Sequence, residues 1–146
     1  MGEKKDIHLV VLAHGLWGNA GHLKFIAEQL KKKYPGEIHL IQDEYETISK
    51  TSKVTKFSII GYSLGGLFSR YVIGRLFKDG FFDKVKPVLF ATFATPHLGV
   101  YRPHGTPLSA VFNWMSARIL SRTGEQLQCC DEYRDGKPML VVLSDP

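Results

Sequence analysis

Residues 56–73 have the sequence KFSIIGYSLGGLFSRYVI. A short β-branched and aromatic run comes first, a Gly-x-Ser-x-Gly motif follows, and apolar residues then recur at helical spacing. This order predicts a strand, a very tight turn and a helix, with Ser63 at the tip of the turn. Gly61 and Gly65 would be sterically required, because a Cβ at either position would collide with neighbouring backbone. The stretch is therefore predicted to be a nucleophile elbow, and the alternative is an ordinary glycine-rich turn.

The composition is that of one soluble globular domain covering residues 1–146. Hydrophobic residues make up 44% of the chain and charged residues 23%, which is enough apolar material for a core. The net charge is +5, but part of it lies in residues 31–33 (KKK), where lysines complement the dipole of a predicted helix end. Basic residues are not interleaved with aromatic ones, so we expect no nucleic-acid binding.

The cysteines and the amino terminus indicate the compartment. Cys129 and Cys130 are adjacent, a spacing that is poorly suited to an ordinary disulfide or to a metal site. The chain begins without an apolar signal region, and no apolar run is long enough to span a bilayer. We therefore expect a cytoplasmic protein that uses no metal ion and no cofactor.

A second glycine-bearing loop follows the first predicted strand. Residues 7–13 (IHLVVLA) are typical of a strand buried on both faces of a parallel sheet, and the sequence HGLWGN follows. In enzymes with a nucleophile elbow, such a loop supplies one oxyanion-hole N–H, and the residue after the nucleophile supplies the other. Leu16 and Leu64 are the predicted donors, with His14 and Gly15 as loop framework. The alternative is a loop that only leads into the next helix.

Hydrophobic periodicity predicts the remaining elements of the chain. Before the elbow we predict an amphipathic helix that ends at Pro35, a strand at 37–41, and a polar link at 42–55 without a well-packed helix. After the elbow we predict a helix closed by Asp79 and Gly80, a fold-back of Phe81 and Phe82, a buried strand at 86–94, an apolar helical face at 108–119, a short helix at 124–128 and a final apolar run at 139–143. The 108–119 face could be a lid or acyl-chain wall, or equally simple core packing.

Three motifs occur in order: HGLWGN at 14–19, GYSLGGL at 61–67 and TFATPHLG at 92–99. Together they resemble the DUF676 serine esterases, a lipase-like α/β-hydrolase family, and the resemblance covers most of the chain. It implies a partial α/β-hydrolase fold, with a mostly parallel sheet and flanking helices, that lacks the C-terminal strands. It also implies hydrolysis of a carboxylic ester, with Ser63 as nucleophile. The substrate would be a lipid or another ester, and the protein could contact membranes or lipid droplets peripherally.

The resemblance also implies a triad acid and histidine on later loops, and we expect the chain to end before either. Within the chain, Asp79 or Asp83 followed by His97 or His104 satisfies the order. His97 is the better-placed base, just past a strand end, although its motif resembles loop framework. Asp145 matches a position outside the triad.

Two functional hypotheses follow from these residues. The first is a serine esterase or lipase, and the second is a catalytically incomplete hydrolase remnant that acts as a lipid- or protein-binding module.

Overall fold

The computed structural model describes residues 5–41, 52–100 and 122–144. The chain divides into two compact units, Met1–Thr95 and Pro96–Pro146. The single domain expected over 1–146 stays a prediction. Most of the 42–55 link and the whole 108–119 helical face lie outside the described residues.

The first unit is built on a four-stranded parallel sheet, as expected from its nearly continuous apolar runs. The strands are β1 (Lys5–Ala13), β2 (Ile38–Ile41), β3 (Ser52–Tyr62) and β4 (Lys86–Phe93). Their order in the sheet is β2-β1-β3-β4, and all three neighbouring pairs are parallel. With the helices described next, this confirms the predicted α/β class.

Two helices pack against the sheet. A 3-10 turn (Ala20–Leu23) leads into α1 (Lys24–Lys33), and α2 (Leu64–Lys78) follows β3 after a single residue. Asn19 caps the first turn, because its side-chain oxygen accepts a 2.9 Å hydrogen bond from the Gly21 N–H. Both helices were predicted from their apolar spacing.

The apolar core consists of two clusters. Successive residues of β1 belong to one cluster and then the other, because successive side chains of a strand point to opposite faces. The cluster under α1 contains Val10, Leu12, Leu23, Ala27, Leu40 and Ile60. The cluster near α2 contains Leu9, Phe57, Ile59 and Val85, with Ile73 and Leu76 packed against it. The two helices therefore cover different faces of the sheet.

Two phenylalanines after α2 fold back onto β3, as predicted. Gly80 has a φ of 72° and ends the helix, and Phe81 and Phe82 follow in a 3-10 turn. Their rings make edge contacts with buried Phe57 at centroid distances of 5.6 and 6.0 Å. This aromatic cluster fixes the connection between α2 and β4.

The predicted limits of β3 were too short. Residues 52–55, which were assigned to the polar link, pair with the beginning of β1, where Ser52 lies opposite Lys5 and Lys53 opposite Asp6. Parallel pairing satisfies the backbone hydrogen bonds of polar residues as well as those of apolar ones. An apolar sequence pattern therefore could not show where β3 begins.

The expected burial of β4 was wrong, although the strand exists. Val88 and Leu89 are each 50% exposed, and Phe90 and Phe93 are exposed as well. Within the described residues β4 is an edge strand with β3 as its one strand neighbour. Pro87 at its start suits such a position, because proline cannot donate to a further strand.

The second unit contains two short helices, α3 (Arg122–Leu127) and α4 (Met139–Val142). α3 matches the short helix predicted at 124–128, and the final apolar run forms α4 around buried Leu140. The Val100 N–H donates to the Leu127 carbonyl at 2.7 Å. In residues 5–41, 52–100 and 122–144, no helix combines the length and apolarity needed to cross a bilayer.

One histidine of the sheet, His8, has a lowered pKa. His8 Nε2 lies 2.8 Å from the Oγ of buried Ser58 on the adjacent strand. Burial, and then the positive charge of Lys56, lower the pKa of His8 from its ordinary value. The unfolded chain therefore takes up a proton at His8 more readily than the folded protein does, which couples stability to pH.

We expect acidification to destabilise the protein through His8. The contribution is fully present above about pH 6.5 and is lost as the pH falls through the lower folded-state pKa. Urea unfolding between pH 7 and pH 5 should therefore show a steeper loss of unfolding free energy for the wild type than for His8→Gln. His22→Gln, which removes an exposed imidazole, serves as the matched control. Equal slopes for the wild type and His8→Gln would contradict this expectation.

Candidate active site

Ser63 occupies the single position between β3 and α2. Its backbone has φ 54° and ψ −126°, a conformation that costs a non-glycine residue about 1–3 kcal/mol. Such strain persists only where the surrounding structure enforces it. A serine at a sharp, strained strand-to-helix turn is the geometry of a nucleophile elbow.

The glycines on either side of Ser63 lie against backbone. A Cβ on Gly61 would contact Cα and N of Gly66, and a Cβ on Gly65 would collide with the carbonyl oxygens of Ala13 and His14. The first turn of α2 thus lies directly on the carboxyl end of β1. Larger residues at these positions would push the helix away from the sheet.

The loop after β1 touches the elbow. A Cβ on Gly15 would lie 2.8 Å from Ser63 Cβ and 3.3 Å from Ser63 Oγ. The loop is closed by a 2.9 Å hydrogen bond from the Gly18 N–H to the Gly15 carbonyl. His14 Nδ1 lies 2.9 Å from the same carbonyl, and because a carbonyl only accepts, this contact needs the proton on Nδ1.

The two predicted oxyanion donors each follow one of the two residues that meet here, Gly15 and Ser63. Leu16 follows Gly15, and Leu64 is the first residue of α2, where helix N–H groups lack intrahelical acceptors. In the described part of the chain, neither backbone N–H donates to a protein acceptor. Both groups are therefore available to an external oxygen, and the dipole of α2 favours negative charge at its amino end.

Exposed apolar side chains occur in the three segments that meet at this edge of the sheet. Leu16, Trp17, Tyr62 and Phe93, called here the apolar rim, are all exposed. Trp17 is 72% exposed and has a φ of 54°, unusual for a bulky residue. The rim therefore presents a mainly hydrocarbon and aromatic surface at this edge of the sheet.

The acid–base partners of the triad are not brought to Ser63 within the described residues of the first unit. Asp79 lies beyond the far end of α2, roughly 22 Å from the elbow along the 15-residue helix, and its carboxylate is 3.7 Å from Arg75. Asp83 lies beyond it in the following turn. His97 lies half-buried in a turn of the second unit, and its role as base stays a prediction. His104 and Asp145 lie outside the described residues.

Thr95 is not among the predicted site residues, yet it contacts the elbow. Its hydroxyl donates to the Ser63 carbonyl at 2.9 Å. The sequence offered one signal, a threonine directly after a strand that runs parallel to the elbow strand, but its motif was assigned to loop framework. Its hydroxyl could not be assigned an acceptor 32 residues away from local pattern alone.

Comparison with known proteins identifies a matching family and two similar proteins of yeasts. The family model described as "Putative serine esterase (DUF676)" matches residues 3–53 and 40–146. The "Putative lipase ROG1" of Saccharomyces cerevisiae is 30% identical over 168 aligned residues, covering 97% of this chain and 24% of that protein. The "Putative lipase C4A8.10" of Schizosaccharomyces pombe is 27% identical over 178, covering 99% and 22%. This chain spans about a quarter of the length of these curated relatives.

The close approach at Gly65 can be tested against Gly74 of the same helix. Gly→Ala within a helix normally stabilises by about 1 kcal/mol. We expect that gain for Gly74→Ala, where an added Cβ has no neighbour within 4 Å. Gly65→Ala should instead lower the unfolding free energy by about 2 kcal/mol, because its Cβ displaces two backbone carbonyls. Urea unfolding of both variants measures the difference, and equal stabilisation would show that α2 does not lie against β1 as described.

Proposed function

Because this chain belongs to the "Putative serine esterase (DUF676)" family, we propose that it is a serine hydrolase of carboxylic esters, with Ser63 as nucleophile. The observation that carries the proposal is the strained conformation of Ser63 between β3 and α2. This conformation turns an ordinary residue type into the tip of an elbow, and within the described residues the N–H groups of Leu16 and Leu64 donate to no protein acceptor.

In the proposed reaction, Ser63 Oγ attacks the ester carbonyl carbon while a base removes its proton. The carbonyl oxygen becomes an oxyanion, which would accept hydrogen bonds from the Leu16 and Leu64 N–H groups. One such donor typically contributes about 3 kcal/mol to transition-state stabilisation. The alcohol then leaves with a proton, and water hydrolyses the acyl-enzyme to the free acid.

The remaining group of the proposed reaction is the base. His97 is the candidate because its motif follows a strand that ends beside the elbow strand in the sheet. Among the described residues of the first unit, Asp79 and Asp83 both lie beyond the far end of α2 from Ser63. That observation favours the second candidate function, a hydrolase-like module that binds lipid or protein without turnover.

A fluorophosphonate probe distinguishes the two candidates, because it reacts only with an activated serine. We expect stoichiometric labelling of the folded chain, mapped to Ser63 by mass spectrometry and abolished by Ser63→Ala. Ser144→Ala, which removes an exposed serine hydroxyl of the second unit, should label as the wild type does. His97→Gln should slow labelling if the imidazole is the base. A folded wild-type chain that stays unlabelled would contradict the esterase and support the binding module.

We further propose that the substrate is a lipid ester, and that the protein is cytoplasmic and meets membranes or lipid droplets peripherally. Two observations support the lipid substrate and the peripheral contact: relatives whose names read "Putative lipase", and the apolar rim at the edge of the sheet where Ser63 lies. Trp17 is the most exposed member of the rim, and tryptophan suits an interface where one side is apolar and the other wet. A series of p-nitrophenyl esters of increasing acyl length measures which acyl length the site accepts.

We expect Trp17→Ser to weaken binding to a phosphatidylcholine-stabilised triolein emulsion about tenfold, or about 1.4 kcal/mol. This is roughly half the gain from fully burying a large apolar side chain. Co-sedimentation with the emulsion measures the partition coefficient. The matched control is Phe77→Ser near the other end of α2, where the ring is 75% exposed. Equal losses in the two variants would show that the rim has no special role in lipid contact.

A further inference from the structure

Thr95 holds the elbow through two kinds of contact. Its Oγ1 lies 2.9 Å from the Ser63 carbonyl oxygen and 3.4 Å from the Phe93 carbonyl oxygen. A hydroxyl has one proton, so the shorter contact to Ser63 is the principal hydrogen bond. The Thr95 side chain also fills the space above Gly66, where an added Cβ would lie 2.7 Å from Cγ2 and 2.8 Å from Cβ of Thr95.

Both peptide groups of Ser63 are held from the end of β4. The Ser63 N–H donates to the Phe93 carbonyl at 2.9 Å, and the Ser63 carbonyl accepts from Thr95. Ala94, between the two anchoring residues, has a φ of 49°. The chain thus turns sharply at Ala94. This turn brings Thr95 to Ser63, the strained residue that follows the neighbouring strand β3.

The Ser63 carbonyl has a second donor, the Gly66 N–H at 3.0 Å. Removal of the Thr95 hydroxyl therefore leaves the carbonyl hydrogen-bonded. The expected effect is a change in the orientation of the Ser63 peptide, and not the cost of an unsatisfied buried group.

We propose that Thr95 is a positioning residue for Ser63, whose hydroxyl fixes the strained peptide so that Oγ keeps the orientation needed for attack. The catalytic consequence rests on the proposed esterase function, whereas the conformational one does not. Nothing in the reaction requires Thr95 to touch the substrate. Its role is to limit the angles that the nucleophile can adopt.

Two variants separate the hydroxyl from the rest of the side chain. Thr95→Val keeps the shape beside Gly66 and removes the donor, and Thr95→Ser keeps the donor and removes the methyl group. Thr55→Val is the matched control, since the Thr55 hydroxyl also lies near a backbone carbonyl, that of Ile7 at 3.5 Å, but far from the elbow along β3. Thr95→Ala provides another hydroxyl-free variant if Thr95→Val does not fold.

The first measurement is amide hydrogen exchange of peptides that cover residues 60–68, which needs no activity. We expect faster exchange there in Thr95→Val, wild-type exchange in Thr95→Ser and Thr55→Val, and no change in peptides from α1. Wild-type exchange at the elbow of Thr95→Val would overturn the proposal. Equal acceleration in Thr95→Val and Thr95→Ser would also overturn it, because the methyl group would then be responsible.

The second measurement is the second-order rate of fluorophosphonate labelling. We expect Thr95→Val to react about tenfold more slowly and Thr95→Ser within about twofold of the wild type, since small displacements of a reacting group cost one to two orders of magnitude. If the wild type does not label while Thr95→Val loosens the elbow, the esterase function fails and the positioning role stands. If the wild type labels and Thr95→Val labels equally fast, the positioning role is overturned and the esterase function stands.

Discussion

The register of three parallel strands determines where Ser63, the loop after β1 and Thr95 lie relative to one another. At their carboxyl ends, Ala13 of β1 pairs with Gly61 of β3, and Tyr62 of β3 pairs with Phe93 of β4. Because the strands are parallel and end together, the loop after β1, the turn after β3 and the turn after β4 all meet at one edge. A shift of one residue in either pair would separate the loop from the turn and reverse the faces of the side chains.

Much of this arrangement could be predicted because its signals are local. The spacing of Gly61, Ser63 and Gly65 defines a turn too tight for other residues, and the apolar period after it defines α2. Gly80 marked the end of that helix for the same reason, since its left-handed φ suits a residue without a Cβ. The family followed from three such motifs in order, and the comparisons confirm it.

The features that could not be predicted depend on neighbours distant in the sequence. Ser52 and Lys53 belong to β3 because β1 pairs with them, although their own side chains indicate a polar link. The apolar residues of β4 predicted a buried strand, but burial depends on which elements cover a strand and not on its own composition. The role of Thr95 likewise depends on a residue distant in the sequence, because the acceptor of its hydroxyl is the Ser63 carbonyl between β3 and α2.

Ser63 acquires its strained conformation only when distant segments have assembled. Its anchors at residues 93–95 follow it by about 30 positions, and the backbone that Gly65 abuts belongs to the first strand of the chain. Contacts of this range form late in folding, because chain entropy must be lost before they are made. During synthesis, a nascent chain that has emerged only as far as α2 therefore lacks the anchors at residues 93–95, and only the contact of Gly65 with β1 can hold the turn. The elbow becomes complete only after β4 has left the ribosome and joined the sheet.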